Sequence, residues 1–202
     1  MILIEDLEKK INSELTTKIK ESKILHGQLY LSINFEDLPD VVLSIKTNNY
    51  AKFKQLIDIT AVDYPENQKR FKIVYLFLSH EINQRIILSY YINENEKILS
   101  LTKIFPSANW MEREIFDMYG IKFIDHPDLR RILTDYDFEG YPLRKDFPLT
   151  GHQETRYSED EKKVIYEPVK LEQNYRNFDF ESPWDGTKYV KEISKNKDDK
   201  KN

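Results

Sequence analysis

Six side chains between residues 112 and 128 are of the kind that binds cations or moves protons: Glu112, Glu114, Asp117, Asp125, His126 and Asp128. Carboxylates and imidazole suit hard or borderline metal ions. Their spacing argues against a site. His126 stands without a His-x-x-x-His or Glu-x-x-His partner, and the four histidines, His26, His80, His126 and His152, lie far apart. The local alternative is that His126-Pro127-Asp128 forms a turn and caps the next segment. The chain has no cysteine, which removes disulfides, thiolate-held iron–sulfur clusters, cysteine zinc sites and a thiol nucleophile. It has five glycines and none of the Gly-x-Ser-x-Gly, Gly-x-x-x-x-Gly-Lys or Gly-x-Gly-x-x-Gly patterns, so neither a serine elbow nor a nucleotide cradle is expected.

The arginines are more informative. Arg113, Arg130, Arg131 and Arg144 sit among carboxylates and aromatics, and guanidinium is the cation best suited to bidentate pairing at buried contacts. Tyr136, Phe138, Tyr141, Leu143 and Phe147 share the stretch. Burying each large apolar side chain gains about 1.5–3 kcal/mol, so a free loop would leave a strong driving force unused. Something is expected to cover them. Arg130, Arg131 and Arg144 are expected in paired contacts, at least two of them across a boundary with another chain.

These residues follow elements that would position them. Leu7, Ile11, Leu15 and Ile19 recur every four residues, predicting a surface helix over about 4–23. Leu29, Leu31, Ile33 and Phe35 alternate with polar residues, the pattern of a strand with one wet face. Asp37 and Pro39 read as a helix start. "FKQLIDITAVDY", "RFKIVYLFLS" and "QRIILSYYI" read as an antiparallel meander separated by turns. "PSANWMEREIFDMYG" reads as a helix, with Ser107 as cap, Gly120 as left-handed stop, and Trp110, Ile115 and Met118 on or near the inner side.

Beyond residue 121 the periodicity fades, and only "KKVIYEPVKL" suggests a strand. Residues 152–186 carry Tyr166, Tyr175, Phe178, Phe180 and Trp184, with prolines at 168 and 183. Such an arm would reach about 110 Å if fully extended, against a radius of gyration of roughly 15 Å for a domain of ordinary size. It is expected to lie along a partner. The expected organisation is an α+β domain over 1–125, with helices packed on a small antiparallel or mixed sheet. A docking hinge over 126–151, an extended arm over 152–186 and a disordered charged tail over 187–202 come after it.

A net charge of -4 from 31 basic and 35 acidic residues gives no reason to expect nucleic acid or an anionic membrane surface. The apolar runs are far short of the roughly 20 residues that cross a bilayer. The acidic amino end resembles neither a signal nor a transit peptide.

"EREIFDMYGI", "HPDLRRIL" and "GYPLRKDFP", followed by "YEPVKLEQNYRNFDFESPWDG", resemble the thirty-kilodalton (C-type) subunit family of proton-pumping NADH:quinone oxidoreductase, respiratory complex I. The likeness runs over roughly residues 25–186. It implies a non-catalytic structural subunit of the quinone-reducing module in the peripheral arm, wrapped on the forty-nine-kilodalton (D-type) subunit. It implies no cofactor in this chain, the FMN and iron–sulfur clusters belonging to other subunits. It also implies attachment to the membrane only through the assembly, on the cytoplasmic side of a bacterial inner membrane or the matrix side of a mitochondrial one. The partner-binding residues expected are Arg113, His126, Asp128, Arg130, Arg131, Tyr141, Arg144, Phe147, Tyr166, Tyr175, Phe178, Phe180 and Trp184. The alternative is the equivalent subunit of a membrane-bound hydrogenase-like complex.

Overall fold

The structure, a computed structural model, describes residues 3–171 and 173. Helix α1 (Ile4–Glu14) buries Leu7 and Ile11. It ends before the residues that continue its four-residue spacing: Thr16, which is β-branched, bonds its hydroxyl back to the Asn12 carbonyl at 2.7 Å. Ile19 instead opens strand β1 (Ile19–Leu25), which corrects the helix expected to run to residue 23. A two-residue turn at His26 and Gly27, with φ of 51° and 72°, joins β1 to β2 (Gln28–Ile33). Positive φ at both central residues matches the twist of a tight hairpin.

After a 3-10 turn at Phe35–Asp37 comes α2 (Leu38–Thr47), with Pro39 in its first turn and Val41, Val42 and Ile45 buried. Asp37 stands at the N-cap position without a side-chain capping bond. Strands β3 (Gln55–Asp63), β4 (Phe71–Ser79) and β5 (Gln84–Ile92) form the expected antiparallel meander. The sheet runs β1-β2-β5-β4-β3, and only the β2–β5 pair is parallel.

The burial alternates in phase across the sheet. Leu31, Leu88, Tyr75 and Ile59 are neighbours in register and all buried, whereas the row Ser32, Ser89, Val74 and Thr60 is half-buried or exposed. One face therefore carries the helices and the core, and the other stays open. Within the core the hydroxyls of Tyr75 and Tyr90 satisfy each other at 2.8 Å, as buried phenols require.

Helix α3 (Ala108–Tyr119) packs against β3 and is flanked by a small parallel pair, β6 (Lys97–Leu99) and β7 (Lys122–Ile124). Ile115 and Met118 face inward as expected. Trp110 does not: it is 64% exposed. The inner stripe is Met111, Ile115 and Met118, which leaves Trp110 on the shoulder of the helix.

The chain divides into two compact units, Met1–His152 and Gln153–Asn202. Residues 126–151 are thus part of the first unit. The second opens with an antiparallel hairpin of β8 (Gln153–Ser158) and β9 (Lys163–Pro168). The segment expected to be an extended arm from residue 152 therefore begins with paired strands, tied by Arg156 to Glu167 at 3.0 Å. Tyr175, Phe178, Phe180, Trp184 and the charged tail lie outside the described residues.

Candidate docking strip

The strip over residues 126–151 has little regular structure, and the charges of α3 hold it in place. Asp117, fully buried on α3, is the anchor. Its Oδ2 accepts the successive backbone N–H groups of Ile132, Leu133 and Thr134 at 2.9, 2.7 and 2.9 Å. Its Oδ1 accepts the Arg131 guanidinium at 2.7 Å and the Thr134 hydroxyl at 2.5 Å. Burial alone would raise this carboxyl, but the bonds from Thr134, Ile132 and Arg131 outweigh it and hold it well below the usual carboxylate range. Arg131 also donates to the Gly140 carbonyl at 3.0 Å, so one side chain joins α3 to two points on the strip.

A second anchor follows at residues 141–146. The helix stops at Gly120 with φ 78°, and a Cβ there would come within 2.5 Å of the Tyr141 ring. Glycine is needed both for the left-handed turn and for that approach. Tyr141 lies between two cations, Arg144 at 4.6 Å and Arg131 at 5.4 Å from its ring centre. The Leu143 N–H donates to the Met118 carbonyl at 3.1 Å, and Arg144 Nε donates to the Tyr119 carbonyl at 2.7 Å. Arg144 also pairs with Glu94.

Asp63, at the end of β3, accepts a bidentate bond from Arg70 at 2.7 and 2.9 Å and the Lys145 N–H at 2.7 Å. Arg70 reaches on to Asp146 at 3.0 Å. The Arg70 bonds, with Lys145 and against the opposing effect of burial, lower the Asp63 carboxyl. Gly140 lets the Phe147 ring close in: a Cβ there would meet it at 2.7 Å, and Phe147 packs on Phe138 at 5.8 Å.

The remaining predicted residues of the strip have local roles. Arg113 donates to the carbonyls of Arg130 and Arg131 at 3.1 and 3.2 Å and lies over the Trp110 ring. Arg130 pairs with Asp128 at 2.9 Å, both side chains more than half exposed, an arrangement that contributes little. His126 accepts the Asp128 N–H at Nδ1, which leaves Nε2–H to donate to the Asn109 carbonyl, each at 3.1 Å. The turn expected at residues 126–128 is thus fixed by the imidazole itself.

The structure supplies partners inside the chain for Arg131 and Arg144. Sequence reasoning named them but not Asp117 as the anchor of Arg131, nor Glu94 as the partner of Arg144, nor Asp63 and Arg70. The Asp63–Arg70 pair was available in principle, since a β3–β4 hairpin sets residue 63 beside 71. Glu94 is 50 residues from Arg144 and carries no local signal.

The six cation or proton candidates disperse. Asp125 pairs with Lys103 at 2.8 Å and Glu114 is exposed. Among the described residues no three His, Cys, Asp or Glu side chains converge as a metal site. Glu112 is the exception in character: fully buried, it takes the Leu101 N–H on Oε1 at 2.7 Å, while Oε2 has no hydrogen-bond partner and lies 4.0 Å from His126 Nε2. Burial pushes its carboxyl up to about 7, against the pull of the Ser100 hydroxyl and the Leu101 N–H.

The outward side of the strip and of the adjoining helix sets large apolar side chains among exposed charges such as Asp137, Glu139 and Lys145. Trp110, Leu133, Tyr136, Leu143 and Leu149 are 64%, 62%, 75%, 50% and 88% exposed, while Phe138, Tyr141 and Phe147 are half-buried. Exposed apolar side chains grouped in this way are the kind of surface that marks interaction sites on proteins.

Residues 31–153 match the family described as respiratory-chain NADH dehydrogenase, 30 Kd subunit, and the chain belongs to that family. Among its relatives is the C-type subunit of the NADH-quinone oxidoreductase of Ruegeria pomeroyi, 56% identical over 167 residues, which are 83% of this chain and 84% of the relative. The corresponding subunit of Parvibaculum lavamentivorans is 49% identical over 187 residues, 93% and 94% of the two chains. Among solved structures, a chain of the membrane-bound sulfane sulfur reductase, an archaeal respiratory membrane complex, superposes with a TM-score of 0.63 at 23% identity, covering 80% of this chain and 98% of that one. That likeness establishes the shared fold.

Proposed function

We propose that this chain is a non-catalytic structural subunit of proton-pumping NADH:quinone oxidoreductase, which passes electrons from NADH to quinone. It sits in the quinone-reducing module of the peripheral arm, carries no cofactor of its own and docks on the forty-nine-kilodalton subunit. No helix of the described residues is long and apolar enough to cross a membrane. In this reading attachment runs through the assembly, on the cytoplasmic side of a bacterial inner membrane or the matrix side of a mitochondrial one. The observation that carries the reading is the strip: the guanidinium groups of Arg131 and Arg144 are engaged in fixing its own shape, and its exposed apolar residues Leu133, Tyr136, Leu143 and Leu149 are left for a neighbour. Near-50% identity to C-type subunits over most of their length supports the same assignment over the hydrogenase-like one. Within it, Tyr136, Leu143 and Leu149 make the contact, while Arg131, Tyr141, Arg144 and Phe147 hold the surface that makes it. Arg113, His126, Asp128 and Arg130 shape its upstream end, and Tyr166 belongs to the hairpin unit.

The test is purification of the tagged full chain from mildly solubilised membranes, with its companions identified by mass spectrometry. The subunits that hold FMN and the iron–sulfur clusters are expected to accompany it, with the forty-nine-kilodalton subunit retained longest under rising salt. Companions that include a nickel–iron large subunit, or none, would overturn the reading.

A further inference from the structure

The open face of the sheet carries a cleft of about 520 Å3, lined by Lys20, Ser32, Asn67, Gln68, Lys69 and Tyr91 among others. Two devices place its cations. A bulge in β1 between Ile19 and Glu21 takes Lys20 out of the regular alternation, and Lys20 lines the cleft together with Ser32. The turn joining β3 to β4 brings Lys69 to the opposite wall.

Neither Lys20 nor Lys69 has an ion-pair partner among the described residues. Their neighbours do: Lys18 pairs with Asp40, Glu21 with Lys23 and Arg70 with Asp63, while Lys72 lies over the Tyr91 ring at 5.6 Å. Two uncompensated ammonium groups facing one space, with hydroxyl and amide groups between them, call for an oxyanion. Beyond the cleft the same face presents Tyr30, Val74, Leu76 and Ile87, half-buried and uncharged. A free anion would use the lysines and waste these rows; a carboxylate on a protein segment with apolar neighbours uses both.

We propose that this cleft receives an aspartate- or glutamate-bearing segment of a neighbouring subunit. It would be a second docking surface on the opposite side of the sheet from the helices. The inference rests on the chain being a subunit of the oxidoreductase.

Lysine acetylation by a water-soluble ester, measured by mass spectrometry, compares the assembled complex with the isolated full chain, and carbodiimide coupling then traps lysine–carboxylate contacts. Lys20 and Lys69 are expected to react about tenfold more slowly in the complex, as for amines withdrawn from water by an interface. Carbodiimide is expected to join one of them to an aspartate or glutamate of another subunit. Equal rates in the two states would overturn the inference while leaving the proposed function standing. Protection that disappears on delipidation or on exchange out of inorganic phosphate, or a cross-link to a second copy of this chain, would equally overturn it, assigning the cleft to lipid, phosphate or self-association. A chain that brings down no other subunit would instead sink the proposed function.

Discussion

Two buried carboxylates on the same helix, Glu112 and Asp117, are shifted in opposite directions: burial raises both, and at Asp117 the hydrogen bonds it accepts outweigh that. Asp117 accepts N–H and O–H donors on both oxygens and stays ionised. Glu112 leaves Oε2 unpartnered, and burial drives it toward neutrality. Their effects on stability have opposite signs. The folded pKa of Asp117 lies below its unfolded value, so its contribution is full above about pH 4 and is lost as pH falls further. The folded pKa of Glu112, about 7, lies above its unfolded value, so the fold is favoured below about pH 4.5 and loses stability as pH climbs from there through 7. Ionising it in place costs about 3 kcal/mol. Glu112→Gln should therefore flatten the fall in melting temperature of the full chain between pH 5 and pH 8; an unchanged slope would show that this carboxyl is already ionised at low cost. Asp117→Ala should cost about 3–5 kcal/mol at pH 7, since it strands the Arg131 guanidinium and three backbone donors. Denaturant unfolding measures it, and a loss below 1 kcal/mol would mean that water replaces the carboxylate without difficulty.

At the scale of elements, α3 and the strip form one unit hinged at Gly120. Gly120→Ala must hold a left-handed residue, at roughly 1–2 kcal/mol, and must also displace Tyr141. It should lower the melting temperature and free the strip to proteolysis near residues 136–150, read by peptide mapping. Trp110→Ser and Leu149→Ser should leave the melt nearly unchanged and reduce recovery of companion subunits, because neither side chain is needed by the core. What the sequence disclosed divides along the same line. Helices α2 and α3 and strands β2 to β5 announce themselves, because each buries one regular stripe or alternate row. Strand β1 does not: "IKESKIL" is charged, and its first isoleucine extends the four-residue spacing of α1. Strands β6 and β7 are three residues each and pair across an intervening helix, leaving no period to read. In the strip, the mixture of arginines and aromatics disclosed that contacts exist, but Asp117 and Glu94 reach it through the fold and not through the local sequence.

For the whole molecule, the boundary after His152 matters most. A chain ending at His152 should keep a cooperative melt, because α1 to α3, the five-stranded sheet and the anchored strip all lie before it. It should bind the assembly less tightly for want of Tyr166 and the residues beyond it. Calorimetry and co-purification test the two halves, and loss of the cooperative melt would show that the second unit completes the first. The parallel pairing of β2 with β5 has another consequence, in the order of events during synthesis. The β1–β2 hairpin emerges early, yet its other sheet neighbour among the described residues is the strand over residues 84–92, some fifty residues later in the chain. Translation at about 5–20 residues per second leaves Leu29, Leu31 and Ile33 waiting for seconds with an unfilled edge beside them. Pairing over that separation also slows closure. The nascent hairpin is thus the stretch a ribosome-associated chaperone has most reason to hold, and α1 before it and α2 just after it are the covers the chain itself can offer in the meantime.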